Sequence, residues 1–251
     1  MSQSKQEILR VTGVSKRYGG VHALEKVNFD LNFGEVHALV GENGAGKSTL
    51  IKVLGGIVPR SEGEIRFDGR MVEFNSPSEA QQAGIAIIHQ ELSLMPSLTV
   101  IENMMMGRLG GRGGLLNWNE LERRTHAALA LIDLHVDPYA TVRDLTISQR
   151  QMIEIARAVN AQAKLIIMDE PNSSLSAAES ERLFALITAL KARSIAIIYV
   201  SHKIHEVLRI SDRITVLRDG QYVGTVESSA ASEQRVINMM VGRELDRSAF
   251  V

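Results

Sequence analysis

The stretch Gly41-Glu42-Asn43-Gly44-Ala45-Gly46-Lys47-Ser48-Thr49 decides the fold, because it matches the pattern G-x-x-x-x-G-K-[ST] of a phosphate-binding P-loop. Its glycines allow tight backbone turns in which amide N–H groups converge on an anion. Lys47 is expected to reach the β- and γ-phosphates of a nucleotide. The Ser48 hydroxyl is a hard oxygen ligand that suits Mg²⁺. The sequence therefore predicts a nucleotide-phosphate site at this loop.

The residues on either side supply the strand and the helix that a P-loop needs. Val36–Val40 is short and largely apolar, which predicts a buried strand. Ser48–Leu54 carries apolar residues at helical spacing and is predicted to end at Gly55 and Gly56. A phosphate would then lie at a helix N-terminus, where the dipole and free N–H groups favour negative charge. This order disfavours the alternative of a glycine-rich turn with an incidental lysine.

The composition is that of one large globular domain or two small ones, with 251 residues, 28 basic and 29 acidic residues and no cysteine. Without cysteine there are no disulfides, which suits a reducing compartment. The balanced charge does not predict a nucleic-acid-binding surface. No apolar run approaches the roughly 20 residues of a membrane span, and the polar first residues do not resemble a secretory signal. Any membrane association is therefore expected to depend on a protein partner.

Strand patterns surround the P-loop unit. Residues 8–33 are predicted to be β, and Glu64–Phe67 alternates apolar and polar residues before a hairpin turn at Asp68-Gly69. Further apolar runs alternate with helical segments, which predicts a parallel sheet covered on both faces. These runs are Ile85–Ile88, Leu165–Met168, Ile195–Val200 and Ile214–Leu217. Asp219-Gly220 predicts an edge hairpin, and Glu233–Gly242 predicts a final helix.

Residues 91 to about 160 are predicted to form a helical insert, because strand patterns vanish there. Thr99-x-x-Glu102 is a capping box, and Leu121–Leu134 has apolar residues at helical intervals. A glycine-rich segment within the insert favours a mobile connection over a second phosphate cradle, since no strand precedes it and no Lys-Ser follows. Its glycines are Gly107, Gly110, Gly111, Gly113 and Gly114.

Two carboxylates, Asp169 and Glu170, close the strand Leu165–Met168. The carboxyl end of a buried parallel strand is where α/β proteins bind ligands. Asp169 suits the outer shell of Mg²⁺, and Glu170 can polarise an attacking water. The alternative is an acidic pair at a turn before Pro171, which the upstream P-loop disfavours.

Three further residues are weak candidates when each is taken alone. Gln90 follows a strand, and its amide oxygen can ligate Mg²⁺, although glutamines are common at strand ends. His202 also follows a strand and could hold a γ-phosphate and the attacking water, although a lone histidine is usually surface or core filler. Tyr18 could stack on adenine, although packing in a turn is the commoner role of such a tyrosine. The other six histidines are interpreted as structural or surface residues.

The segment Leu145-Thr146-Ile147-Ser148-Gln149-Arg150-Gln151 precedes a helical run, Met152–Val159. Thr146-x-x-Gln149 and Ser148-x-x-Gln151 both fit a capping box, so a plain helix cap is one interpretation. The functional interpretation is a second anion-binding helix N-terminus. Because the P-loop already holds one set of phosphates, this second site becomes useful if it covers the nucleotide bound by another copy.

In this order, these segments resemble the ATP-binding cassette (ABC) ATPases over nearly the whole chain. The resemblance implies ATP and Mg²⁺ as ligands, with Ser48, Gln90 and Asp169 at the metal. It implies that Gly41–Thr49 is the P-loop with Lys47, that Gln90 is the Q-loop glutamine and that Leu145–Gln149 is the signature. It further implies that Leu165–Asp169 is the second acidic strand, with Glu170 as the catalytic base. His202 would be the H-loop histidine, and Tyr18 would stack on adenine.

Longer stretches resemble the monosaccharide importers of the ribose, galactose, xylose and arabinose type. They are residues 41–54, 84–92, 151–156 and 239–243. In that subfamily two cassettes are fused, and this chain resembles the first cassette alone, so a truncated piece is expected. The implied partners are a second cassette (fused or a second copy), a transmembrane permease and, indirectly, a periplasmic sugar-binding protein, at the cytoplasmic face of the inner membrane.

The implied fold class is α/β, with a P-loop NTPase (RecA-like) core, an antiparallel β subdomain and a helical subdomain within one ABC nucleotide-binding domain, residues 1–251. The expected division assigns about 1–90 and 160–230 to the core and β subdomain. It assigns about 91–159 to the helical subdomain and about 231–251 to a C-terminal helix and tail. The permease is expected to contact the helical subdomain and the Q-loop.

The chain departs from the common family pattern at two places. The usual Leu-Ser-Gly-Gly-Gln is here Leu145–Gln149, without either glycine. The usual Pro-Thr-Ser-Ala-Leu-Asp is here Pro171–Ser176, without the final carboxylate, although Ser176-x-x-Glu179 still fits a helix cap. The site that this chain completes in its partner is therefore expected to be weaker than the site on its own P-loop. The alternatives to an import ATPase are a regulatory cassette with weak hydrolysis and a soluble non-transport ABC ATPase.

Overall fold

The computed structural model describes residues 6–90, 92–106 and 117–242. The predicted glycine-rich connection, residues 107–114, lies outside these residues, as do Glu91 and Arg243.

The described residues form ten strands and eight α-helices. The strands are β1 (Glu7–Tyr18), β2 (Val21–Asn32), β3 (Val36–Val40), β4 (Glu62–Phe67), β5 (Arg70–Val72), β6 (Ile85–Ile88), β7 (Leu165–Asp169), β8 (Ala196–Val200), β9 (Arg213–Arg218) and β10 (Gln221–Glu227). The helices are α1 (Lys47–Leu54), α2 (Pro77–Ala83), α3 (Val100–Met105), α4 (Trp118–Leu131), α5 (Ile147–Asn160), α6 (Ala177–Ala192), α7 (Ile204–Ile210) and α8 (Glu233–Val241).

Two sheets organise the chain. The larger sheet has the order β10-β9-β3-β8-β7-β6, and all of its pairs are parallel except the edge pair of β9 and β10. The smaller sheet has the order β2-β1-β4-β5 and is antiparallel throughout. The predicted parallel sheet, the edge hairpin at Asp219-Gly220 and the antiparallel strands around the P-loop are therefore confirmed.

Alternate residues of the larger sheet's strands pack on opposite faces, because side chains along a strand alternate in direction. Ile166 and Met168 of β7 join the core formed with α3 to α8. Leu165 and Ile167 of the same strand join a second core that includes α1 and the smaller sheet. A strand buried on both faces has no polar alternation, which explains why these strands are continuous apolar runs in the sequence.

Capping residues fix the starts of several helices. The predicted capping boxes at Thr99 and Ser176 are both present. A further helix, α2, was not predicted, although Ser76 caps it and Pro77 occupies its first turn, which is a recognisable start signal. Helix α4 ends at Leu131 rather than Leu134, because Asp133 takes a left-handed φ of 53°.

Helix α5 begins earlier than its apolar periodicity indicated. It starts at Ile147 rather than Met152, with Thr146 as N-cap and Gln149 completing the capping box. The alternative box from Ser148 to Gln151 is wrong, because Ser148 already lies inside the first turn. The side chain of Gln151 instead donates a hydrogen bond to the carbonyl of Pro171.

Candidate active site

The P-loop connects β3 to α1 with a backbone that only glycine accommodates at two points. Gly44 and Gly46 have φ values of 85° and 100°, in the left-handed region. At Gly46 a Cβ would come within 2.8 Å of the carbonyl oxygen of Ala23 on β2. Gly46 is also the N-cap of α1 and forms no side-chain cap. The N–H groups of this helix end are therefore left to the loop and to an anion.

Lys47 begins α1 and is almost fully buried, with 8% of its surface exposed. Its Nζ donates hydrogen bonds to the carbonyl oxygens of Gly41 at 2.7 Å and Glu42 at 3.0 Å. Burial lowers the pKa of this ammonium, and the charges of Glu170 and Asp169 oppose that shift. An ammonium has three donors, so one is left for a ligand after these two contacts.

One cavity of about 200 Å³ brings most of the predicted site residues together. It is lined by Asn43, Gly44, Ala45, Gly46, Lys47, Ser48, Thr49, Gln90, Asp169 and Glu170. The P-loop follows β3, and the two carboxylates follow β7, so the cavity lies at the carboxyl edge of the parallel sheet. This is the position at which α/β sheets bind ligands.

The two carboxylates differ in backbone and environment. Asp169 is the last residue of β7, and the pKa of its carboxyl is raised, first by burial and then by the charge of Glu170. Glu170 has a left-handed φ of 51° and donates its backbone N–H to the carbonyl of Val200 at 2.9 Å. Such a conformation is strained for a glutamate, and strain held at a strand end in a cavity is typical of a functional position.

We predict that Asp169→Asn stabilises the chain without nucleotide. The pKa of Asp169 is higher in the folded chain than its ordinary value of 3.8, so its ionisation lowers the free energy of unfolding as pH rises through the folded pKa. Asn removes that cost, and the thermal unfolding midpoint at neutral pH should rise by a few degrees. The gain should shrink as pH falls through the folded pKa of Asp169 and vanish below the ordinary aspartate pKa. The exposed Asp144→Asn is the control, and an unchanged or lower midpoint for Asp169→Asn would contradict this account.

His202 lies beside Glu170 at the end of the neighbouring strand. Its Nδ1 is 3.2 Å from Oε1 of Glu170. The imidazole is 61% exposed, whereas the carboxylate is 22% exposed. Because β7 and β8 are adjacent and parallel, their ends bring these two residues into contact. Glu170, the predicted base, and His202, the residue predicted to contact the γ-phosphate, are thus in contact with each other, and Glu170 lines the cavity.

Tyr18 does not line this cavity. It ends β1 with 46% of its surface exposed, and Nζ of Lys16 lies 5.0 Å from its ring centroid. Its role in adenine stacking stays a prediction.

The signature residues also lie away from the P-loop cavity. Thr146, Ser148 and Gln149 line a second cavity of about 690 Å³ between α4, α5 and α6, and Ile147 is 51% exposed. The capping box is closed: the Thr146 N–H donates to Gln149 Oε1 at 2.9 Å, and the Gln149 N–H donates to Thr146 Oγ1 at 3.2 Å. None of these four residues lines the P-loop cavity of this chain.

The sequence did not identify the polar residues behind the active site. Asn172 and Glu206 are buried at 2% and 7% exposure and are joined by a hydrogen bond of 3.0 Å. Their separation along the chain carries no periodic signal. The only hint is that Asn172 replaces the threonine of the common family pattern.

The cavity residues fit a nucleotide bound with Mg²⁺. The α1 N-terminus and Lys47 supply the donors and the positive charge that phosphates need. The hydroxyl of Ser48, the amide of Gln90 and the carboxylate of Asp169 are oxygen ligands of the kind that Mg²⁺ prefers. All of these residues line one cavity.

Comparisons with known proteins agree with this geometry. The chain is 48% identical over 241 residues to a putative ribose/galactose/methyl galactoside import ATP-binding protein 3 of Burkholderia ambifaria, covering 95% of this chain and 47% of that protein. It is 45% identical to ribose import ATP-binding protein RbsA 2 of Rubrobacter xylanophilus, covering 96% of this chain and 47% of the relative. The chain thus spans about half the length of the curated relatives it matches.

Solved structures share the fold over almost the whole chain. A nucleotide-free ATP-binding cassette from an ABC transporter superposes with a TM-score of 0.79 at 27% identity, covering 94% of this chain and 96% of that one. CbiO1 of Clostridium perfringens, part of the ABC transporter complex CbiONQ, gives 0.80 at 26% identity, covering 95% and 96%. The P-loop NTPase fold of an ABC domain is therefore confirmed. The family model described as ABC transporter matches residues 24–173, which include the P-loop, Gln90 and both carboxylates, and the chain belongs to this family.

Proposed function

We propose that this chain binds ATP with Mg²⁺ and hydrolyses it to power import of a monosaccharide through a membrane permease. The observation that carries the proposal is the single cavity in which Lys47, Asp169 and Glu170 meet, with His202 in contact with Glu170. A P-loop alone would support nucleotide binding. A carboxylate and an imidazole beside it add the means to activate a water.

Phosphate binding is assigned to the P-loop, Gly41–Thr49. Its N–H groups surround the phosphates, and Lys47 contacts the β- and γ-phosphates. Ser48, Gln90 and Asp169 hold Mg²⁺, which supplies positive charge against the phosphate oxygens when it is bound. Tyr18 is proposed to stack on the adenine.

Water activation is assigned to Glu170. Its carboxylate accepts a proton from the attacking water, and the contact with Nδ1 of His202 fixes its orientation. The other ring nitrogen of His202 is left to face the γ-phosphate. Glu170 and His202 follow the adjacent strands β7 and β8. The sheet therefore fixes the position of the proposed base relative to the histidine that faces the γ-phosphate.

A second cassette is the proposed partner at the nucleotide. Thr146–Gln149 do not line this chain's own P-loop cavity, which leaves them to cover a nucleotide held by another cassette. The closed capping box uses two N–H groups of that helix end, which leaves those of Ile147 and Ser148 for a phosphate. This supports the expectation that the signature of this chain acts in trans and acts weakly.

The permease is proposed to dock beside the Q-loop, at the cytoplasmic face of the inner membrane. A cavity of about 250 Å³ lies between α2, β6 and α5, with an apolar lining from Pro77, Ala80 and Ile87. His89 and Ser93, on either side of the Gln90 segment, also line it. Among the residues that the structure describes, no helix has the length and apolar character of a membrane span.

The transported molecule is proposed to be a monosaccharide, delivered by a periplasmic sugar-binding protein. The support is that the relatives are named as import ATP-binding proteins for ribose, galactose and methyl galactoside. The sugar itself would be recognised by the binding protein and the permease, not by this chain.

We predict that Mg²⁺-dependent ATPase activity per chain rises with protein concentration. The physical reason is that each nucleotide is shared between one P-loop and a second chain's signature. The measurement is the steady-state rate over a wide range of chain concentrations, with mass measured in parallel with and without ATP. A constant rate per chain with no dimer would remove the role of Thr146–Gln149 in trans, and the absence of Mg²⁺-dependent turnover would remove the proposed hydrolysis by this chain.

A further inference from the structure

Behind the active site, a set of buried polar contacts joins the loop after Glu170 to the start of α7. We call it the Asn172 clamp, formed by Asn172, Lys203, Glu206 and Tyr199. Glu206 Oε2 accepts hydrogen bonds from Asn172 Nδ2 at 3.0 Å and from the Tyr199 hydroxyl at 3.3 Å. Lys203 Nζ lies 3.3 Å from Glu206 Oε1 and donates to the Asn172 carbonyl at 3.2 Å. Both the side chain and the backbone of Asn172 are therefore held.

The charge of Glu206 decides how the Asn172 amide is oriented. A carboxylate only accepts hydrogen bonds, so the amide must direct its NH₂ group at Glu206 and not its oxygen. Burial raises the pKa of the Tyr199 hydroxyl, which therefore stays protonated as the second donor to Glu206. The Asn172 oxygen, turned the other way, has no hydrogen-bond partner among the described residues. The hydrogen bond between Asn172 and Glu206 therefore leaves one buried atom, Oδ1 of Asn172, without a hydrogen bond from any residue that the structure describes.

The clamp lies next to the catalytic pair on both sides. Asn172 is two residues after Glu170, and Lys203 directly follows His202. The intervening carbonyl, that of Pro171, accepts a hydrogen bond from Gln151 of α5. Glu170 itself has a left-handed backbone, and such a conformation persists only where the surroundings over-determine it. The clamp supplies such constraints.

This inference rests on the proposed function: we propose that Glu206 is a positioning residue. Through Asn172 and Lys203 it holds the loop after Glu170 against the turn at His202. The Glu170 carboxylate and the His202 imidazole are then placed to contact the same attacking water. Removing one partner of a buried polar network costs stability, whereas replacing all of its members by apolar residues often does not. The contribution of the clamp to hydrolysis is therefore measured as kcat in variants that remain folded, separately from any change in the thermal unfolding midpoint.

The test compares variants in the ATPase assay at the chain concentration that gives the highest specific rate. Glu206→Met should lower kcat by about 10- to 100-fold with KM for ATP within about twofold, because the P-loop is untouched while the catalytic pair is misplaced. Glu206→Gln keeps an oxygen that can accept from Asn172 and should lose less. Asn172→Leu, which removes the amide donor to Glu206 at a similar side-chain volume, provides a second break if Glu206→Met does not fold. The matched control is Glu181→Gln, which breaks an exposed contact between α6 and Arg209 of α7 and should leave kcat unchanged.

The decisive comparison uses the His202→Ala background. If Glu206 acts by holding His202 and Glu170 together, Glu206→Met should cost no more than about twofold further in kcat there, because residues acting as one unit are not additive. An equal loss in both backgrounds, or a loss that appears in KM, would overturn the positioning role while leaving the proposed function intact. If Glu170→Gln itself retains full turnover, the role of Glu170 as base fails, and this inference fails with it. The proposed function fails only if the unaltered chain does not hydrolyse ATP.

Discussion

Replacing Glu170 by Gln is expected to lower kcat for ATP hydrolysis by about 100- to 10,000-fold while ATP remains bound. The amide keeps the shape and the hydrogen-bonding oxygen of the side chain but cannot take a proton from water at neutral pH. The left-handed backbone at this position, with φ of 51°, is no more strained for Gln than for Glu. The variant should therefore fold normally and lose only the chemical step.

The measurements are single-turnover hydrolysis, ATP affinity and molecular mass in the presence of Mg²⁺-ATP. In the proposed pair each ATP lies between two chains, so a chain that binds ATP without hydrolysing it should accumulate as a nucleotide-bound dimer. Glu64→Gln, an exposed carboxylate on β4, is the matched control and should behave as the unaltered chain. If Glu170→Gln hydrolyses ATP at the unaltered rate, Glu170 is not the base.

The strands of the site could be predicted from the sequence because the P-loop and the carboxylates each follow directly after a short apolar run. Val36–Val40 and Leu165–Met168 are short apolar runs that end at a glycine loop and at an acidic pair. Parallel strands place such ends along one edge, so the meeting of Lys47 with Asp169 follows from the topology. Here local propensity and long-range arrangement agree.

The sequence was less informative where a helix begins or where contacts span the chain. The start of α5 lies in Thr146–Gln151, where two overlapping capping boxes fit the sequence, and the structure forms the one from Thr146 to Gln149. The engagement of Gln151 with Pro171 is one of the contacts between separate segments. The bond between Asn172 and Glu206 joins two segments through side chains, and no periodicity encodes it.

The departure from the common signature has a structural counterpart at α5. Where the family pattern has glycines, Ile147 and Ser148 adopt ordinary helical backbone in the first turn. Glycines there would leave the turn open to a close approach by phosphate, whereas Ile147 adds an exposed apolar side chain. The P-loop side of this chain is thus complete, and its signature side is altered. This asymmetry supports the proposal that the chain works beside a second cassette.

Replacing Lys47 by Met is expected to weaken Mg²⁺-ATP binding by about 10- to 100-fold and to lower kcat by about 100- to 1,000-fold. The ammonium is the buried positive charge of the cavity, and its position is fixed by the carbonyls of Gly41 and Glu42. A charge placed in advance against the phosphates stabilises the transition state without reorganisation. Methionine retains much of the length of the side chain but removes both the charge and the donors.

Lysine and arginine are not equivalent at this position, which sharpens the test. Nζ lies 2.7 Å and 3.0 Å from two backbone oxygens, in a pocket where the side chain is almost fully buried. A planar guanidinium is larger and cannot occupy that point, so Lys47→Arg should also lose binding although the charge is kept. Lys164→Met, which removes an exposed ion pair with Asp68 at the opposite end of the sheet, should leave binding unchanged. Titration calorimetry measures the affinity of all three variants for a non-hydrolysable ATP analogue. If Lys47→Met binds the analogue as tightly as the unaltered chain, the P-loop lysine does not contact the phosphates.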